Sequence, residues 1–141
     1  MAANTHLSIA SWNLALNAAL DTPLNGGYLE IYDSTGTGQP ATPDVAITTQ
    51  VKLAKLALNA TAFGAAASGV KTAGAIVNGT GLAVGTATWA RLFKSDDATA
   101  VLDCSVGVAA DSTDITLGDK AITIGGVVSI TAFTVSSPVA Q

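Results

Sequence analysis

Cysteine and histidine are almost absent from this 141-residue chain, where Cys104 and His6 each stand alone. One thiol excludes an intrachain disulfide, and one thiol with one imidazole leaves neither a zinc cage nor a Cys/His nucleophilic couple. Charge is scarce too: six Lys+Arg and ten Asp+Glu make up 11% of the residues, against about 25% in an ordinary soluble domain. Their sum of -4 offers no basic face to neutralise phosphates, so no nucleic-acid partner is expected. Aromatics are limited to two Trp, two Tyr and three Phe. No apolar run reaches the ~18 residues of a membrane-crossing helix, since even 59–76 is broken by Gly, Ser, Thr and Lys71. No membrane partner is expected. The opening Met1-Ala2-Ala3-Asn4-Thr5-His6 has no basic n-region and no apolar stretch before a cleavage site, which predicts synthesis in the cytoplasm without Sec export.

What fills the chain instead is 27 Ala, 18 Thr and 14 Gly, with 49% hydrophobic residues overall. The core must therefore be built from small aliphatics. A surface so short of charge must be largely Thr, Ser, Ala and Asn, and some of it is expected to lie under partners. The length suits one domain, read as an N-terminal arm and helix over 1–22 and a β-sandwich over 23–141.

Ser8 can cap a helix whose apolar stripe is Ile9, Trp12, Leu16 and Leu20, with Asn13 and Asn17 on other faces and a stop at Asp21-Thr22-Pro23. A lone helix of about twelve residues is marginal in water. Its stripe must pack on the chain's own sheet or on another subunit. From Gly26 onward short strands alternate with Gly, Pro, Asn and Asp. Tyr28 to Tyr32 alternates after Asn25-Gly26-Gly27; 36–44 holds Gly38, Pro40 and Pro43 and reads as an exposed loop. Residues 51–58 slip phase at Ala54-Lys55, for which a bulge is the simplest account and a helical turn the alternative. The small-residue stretch 60–69 reads as a loop anchored by Phe63, and 70–77 as a strand. The clearest signal is a β-hairpin: rows Ala87-Trp89-Arg91-Phe93 and Thr88-Ala90-Leu92-Lys94, a turn at 95–98, and a return over 100–106. Strands over 115–117, 121–124 and 127–135 complete about eight. The expected fold is all-β, a jelly-roll-like antiparallel β-sandwich with one short N-terminal helix.

Acidic side chains are the sole candidates for acid/base chemistry or cation binding. Asp96-Asp97 and the Asp111, Asp114, Asp119 group fall in turns, where carboxylates accept local backbone N–H groups. Their spacing is not that of a calcium loop. Gly36-Thr37-Gly38 and Gly79-Thr80-Gly81 open no helix and precede no Lys-Ser/Thr pair, so they read as turns rather than phosphate loops. Cys104 reads as a buried small hydrophobe. No catalytic, cofactor-binding or metal residue is assigned, and an enzyme is not expected.

The helix, the Asn25-Gly26-Gly27-Tyr28-Leu29-Glu30-Ile31-Tyr32 segment, the loop ending in Pro40-Ala41-Thr42-Pro43, then Ala60-Thr61-Ala62-Phe63-Gly64 and Thr88-Trp89-Ala90-Arg91-Leu92-Phe93 follow an order that resembles the capsid cement (decoration) proteins of tailed phages. The resemblance covers nearly the whole chain but carries no catalytic motif. It implies a jelly roll on the outside of an icosahedral phage head, bridging major capsid protein subunits and strengthening the shell. It implies no cofactor. Few charges and many small side chains suit such a role, because flat surfaces then pack with little charge desolvation.

A homodimer at a two-fold position is expected beside the major capsid protein as partner. Ile9, Trp12 and Leu16 of the helix and Tyr28 and Tyr32 of the first strand are the candidate self-contact residues. Thr42 and Ala66, in the loops 36–44 and 60–69, are the candidate capsid contacts. The competing expectation is a phage tail-tip or fibre module binding host-surface glycan, which would want Trp or Tyr on loop tips.

Overall fold

Ser8 stands in extended backbone (φ -65°, ψ 159°), and its Oγ accepts the Ser11 amide at 3.1 Å, which satisfies one of the free donors at a helix start. Helix α1 then runs over Ile9–Leu24 in the computed structural model, which describes residues 6–34 and 38–136. The stop expected at 21–23 is passed, because Pro23 is accommodated in the last turn and Leu24 beyond it is fully buried. Pro23 forfeits the bond that its N–H would give to the Ala19 carbonyl, at a cost of up to ~3 kcal/mol, and burying a leucine returns about 1.5–3 kcal/mol. The Asn25 amide closes the end on the Asp21 carbonyl at 2.9 Å.

The described residues form eleven strands, and the chain is mostly β with one large mixed sheet. The strands are β1 (Tyr28–Asp33), β2 (Val51–Ala57), β3 (Val70–Thr72), β4 (Gly79–Thr80), β5 (Gly85–Thr86) and β6 (Trp89–Phe93). After them come β7 (Ala100–Gly107), β8 (Ile115–Leu117), β9 (Ala121–Ile122), β10 (Val127–Val128) and β11 (Ile130–Ser136). Seven make the main sheet, in the order β2-β1-β6-β7-β8-β11-β3. All neighbours are antiparallel except β7 and β8, which pair in parallel through Val106↔Ile115 and Gly107↔Thr116. The antiparallel expectation fails there because the connection turns twice, through a 3₁₀ turn over Ala109–Asp111 and a left-handed Ser112 (φ 54°). β8 therefore enters beside the end of β7 running the same way.

Register sorts the sheet into two chemically different faces. Leu29 and Ile31 oppose Leu92 and Ala90, and Ala90 opposes Cys104; with Ile115, Leu117, Phe133 and helix residues Leu20 and Leu24 they form the aliphatic core. On the other face Glu30, Arg91 and Asp103 lie in one row across β1, β6 and β7, and Tyr32, Trp89 and Ser105 in the next. Of the bulge and the helical turn open to β2, the bulge is present, at Leu53 rather than at Ala54-Lys55, since Ile31 pairs with Ala54 but Tyr32 with Lys52.

Two short ribbons lie outside the main sheet, β4 with β10 and β5 with β9. Between them Gly81 donates to the Gly126 carbonyl at 2.8 Å and accepts from Gly125 at 2.9 Å. A Cβ on Gly81 would stand 2.0 Å from the Thr123 carbonyl oxygen, so only glycine permits this approach. The strands expected over 70–77 and 121–124 are shorter here, and 127–135 is split by Ser129 into β10 and β11.

Candidate functional site

Alternation in the Tyr28–Asp33 strand and the 89–106 hairpin places a chain of polar groups on the face away from the core. Arg91, only 3% exposed in its side chain, forms a two-pronged ion pair with Asp103, Nε to Oδ1 at 2.7 Å and Nη2 to Oδ2 at 2.9 Å. Hydrogen bonding to Asp103 holds the guanidinium pKa above its usual value. Beside it Tyr32 stacks on Trp89, with ring centroids 4.6 Å apart, and its hydroxyl donates to Glu30 Oε2. Lys52 Nζ reaches Glu30 Oε1 at 2.7 Å. Burial, then the Glu30 carboxylate, pushes the Tyr32 phenol pKa far up.

A strap of residues 38–50 crosses this face without regular structure. Arg91 Nη1 donates to the Val45 carbonyl at 2.7 Å and Nη2 to the Thr42 carbonyl at 3.1 Å. Between strap and sheet is a cavity of about 460 Å³ whose polar lining includes Glu30, Tyr32, Asp44, Arg91 and Thr99. Of these, Glu30, Tyr32 and Arg91 already bond to one another or to neighbours, so the arrangement binds the strap rather than presenting free acid and base groups.

The helix is fastened by polar contacts that its apolar stripe did not suggest. Asn13, Asn17 and Asp21 recur every four residues on the face turned to 64–71. Asn13 Oδ1 accepts the Gly69 amide at 2.9 Å, and Asn17 Oδ1 accepts the Ala66 amide at 3.0 Å and Lys71 Nζ at 2.7 Å. Lys71, with none of its side chain exposed, also donates to the Gly64 carbonyl at 2.7 Å and lies 2.7 Å from Asp21 Oδ1. That last contact is a charge attraction without hydrogen-bond alignment.

The predicted contact residues separate into different environments. Ile9 is exposed, Trp12 half-buried with a buried Nε1 that has no acceptor, and Leu16 packed against the core. The stripe thus packs on the chain's own sheet along its C-terminal half. Tyr28 is half-buried beneath Lys55, whose Nζ is 4.5 Å from the ring centroid. Tyr32 is corrected from a contact residue to an interior one, 2% exposed, because its strand is covered on both faces. Thr42 is exposed in the strap, and Ala66 is half-buried against the helix. Phe63 anchors its loop as expected, edge-on to Phe133 at 5.1 Å.

The aspartates expected in turns, Asp96-Asp97 and the Asp111, Asp114, Asp119 group, lie outside the strands. Asp96 accepts the Ala98 and Thr99 amides and the Thr99 hydroxyl, which lower its pKa to about 2. Asp111 accepts the Val108 amide and pairs with Lys120, Asp114 accepts from Ser105, and Asp119 accepts the Ala121 amide. Among the described residues no three His, Cys, Asp or Glu converge as metal ligands, and no helix is long and apolar enough to cross a membrane. Cys104 is buried in β7, and that burial pushes its thiol pKa up.

Sequence reasoning missed a set of bare apolar side chains. Leu82, Val84, Ile124 and Val127 are 55%, 69%, 72% and 78% exposed. All four belong to the antiparallel segments 79–86 and 121–128 that form the two ribbons. Two-residue strands are too short for alternation to reveal, and the signal available was the Gly79, Gly81, Gly125, Gly126 clustering. Compared with known proteins, the chain matches no family model, no curated protein and no solved structure.

Proposed function

We propose that the chain is a structural virion protein, a capsid cement protein that adheres to the outside of a phage head and bridges major capsid protein subunits, built as a jelly-roll-like sandwich. The observation that supports this role best is the ribbon surface, where Leu82, Val84, Ile124 and Val127 stand largely in water. Large apolar side chains left in water on paired segments are the kind of surface that contact with another protein covers. The outer side of α1 adds exposed Leu14, Ala15, Ala18 and Ala19, small groups that lose little side-chain entropy against a neighbour. Glycan recognition is less well supported, since Trp89 is 1% exposed and stacked on Tyr32 and offers no free ring to a sugar.

The test uses heads assembled without this chain and then incubated with it. Leu82→Glu/Ile124→Glu should fold normally yet lower occupancy at least tenfold, and heat or osmotic survival of the heads should fall with it. Normal occupancy with normal survival would sink the ribbon as the adhering surface. Failure of the unaltered protein to bind any head would sink the cement role.

A further inference from the structure

We infer that Arg91 is a latch for the 38–50 strap, and that the strap leaves the sheet as a unit while the sheet stays folded. Three features carry this. No residue of 38–50 is buried, so the segment has little apolar burial of its own to hold it down. Its middle is tied to the sheet by two carbonyls, Thr42 and Val45, and both bond to the same guanidinium. That guanidinium is in turn fixed by Asp103 on the neighbouring strand through two parallel hydrogen bonds, a geometry that arginine provides and lysine does not. One side chain therefore couples strand β7, through strand β6, to the strap.

The aliphatic core lies on the opposite face of the sheet, with Leu29, Ile31, Leu92 and Cys104. Lifting the strap uncovers the ionic face without opening that core, which is what allows the two events to separate. Inside the strap the Val45 amide bonds to the Thr42 carbonyl at 3.1 Å, and Gln50 Nε2 bonds to the Gly38 carbonyl at 2.8 Å. These internal bonds keep it a closed loop, so it moves whole. A strap ordered in advance presents its outer residues to any partner at lower entropic cost than a free loop. The latch stands independently of the cement role.

The experiment is hydrogen exchange by mass spectrometry on the whole protein, with thermolysin cleavage at 45–47 as a second readout. Arg91→Leu/Asp103→Leu removes both charges and leaves none unpaired. Strap exchange and cleavage should rise at least tenfold, while peptides covering β6 and β7 change less than twofold. Arg91→Lys, which keeps a cation beside Asp103, should give the same pattern at smaller amplitude and covers the case of a double variant that does not fold. Unchanged strap exchange in the folded variants would overturn the latch. So would strap and sheet peptides accelerating by the same factor, which would make Arg91 a general prop of the sheet.

Discussion

The ammonium of Lys71 is anchored on the amide oxygen of Asn17 at 2.7 Å, so a cation with no exposed surface fastens helix α1 to strand β3. A buried lysine is costly unless its charge is paired and hydrogen-bonded, and here the Gly64 carbonyl takes a second donor while the Asp21 carboxylate supplies the opposite charge without a hydrogen bond.

Lys71→Met should lower stability by about 2–3 kcal/mol, because the Gly64 carbonyl is left unpaired while the Asp21 side chain, 40% exposed, returns to water. Asp21→Asn should cost less than about 1 kcal/mol, as half-exposed ion pairs do. Urea unfolding followed by tryptophan fluorescence measures both. Equal losses for the two variants would show that the cation matters only through its charge pair.

Tyr32 makes stability fall at alkaline pH. Its phenol is held above the ordinary 10.0 in the fold, so above that value the folded state keeps a proton that the unfolded chain releases. The contribution is complete below pH 10.0 and is lost as pH rises, by at most ~1.4 kcal/mol per unit. Tyr32→Phe should cost about 1–2 kcal/mol at neutral pH yet show a shallower alkaline decline. Denaturant titrations from pH 8 to about 11 compare the two slopes; parallel curves would remove Tyr32 as the source.

Gly81→Ala should destabilise by about 1–3 kcal/mol or more, since its Cβ meets the Thr123 carbonyl oxygen at 2.0 Å. Gly38→Ala, where nothing lies within 4 Å, should be close to neutral. Thermal melts of the pair distinguish a steric demand at the ribbon from a general dislike of replacing glycine.

Strong local patterns were legible in the sequence. The 89–106 hairpin, the Tyr28 strand, the Ser8 cap and the β2 bulge all come from alternation or capping chemistry that acts within a few residues. Lys71 was not legible, because a lysine inside an apolar run reads as a break, and its burial is made tolerable by Asn17, Gly64 and Asp21, which lie far from it in sequence or offer only a backbone carbonyl. The Arg91 row was visible as one alternating face, but its partners at Thr42 and Val45 are backbone carbonyls and carry no side-chain signature. Tyr32 looked like a contact residue because a strand with polar groups on one side resembles a solvent face; the strap and the Trp89 stack cover it instead. The ribbons depend on glycine approach across 79–86 and 121–128, which no single segment reveals.

Strand β11 occupies the slot between β8 and β3, pairing Phe133 with Ile115 on one side and Val135 with Lys71 on the other. The order in which a ribosome releases the strands therefore differs from the order in which they stand. A nascent chain that has emerged through β8 can assemble β2-β1-β6-β7-β8 with the helix packed on it, while β3 has no strand to join. The open side of β8 is then a bare row of backbone donors and acceptors that a neighbouring chain could occupy. Arrival of residues 130–136 ends that interval, and it joins β3 to the rest of the sheet in a single step.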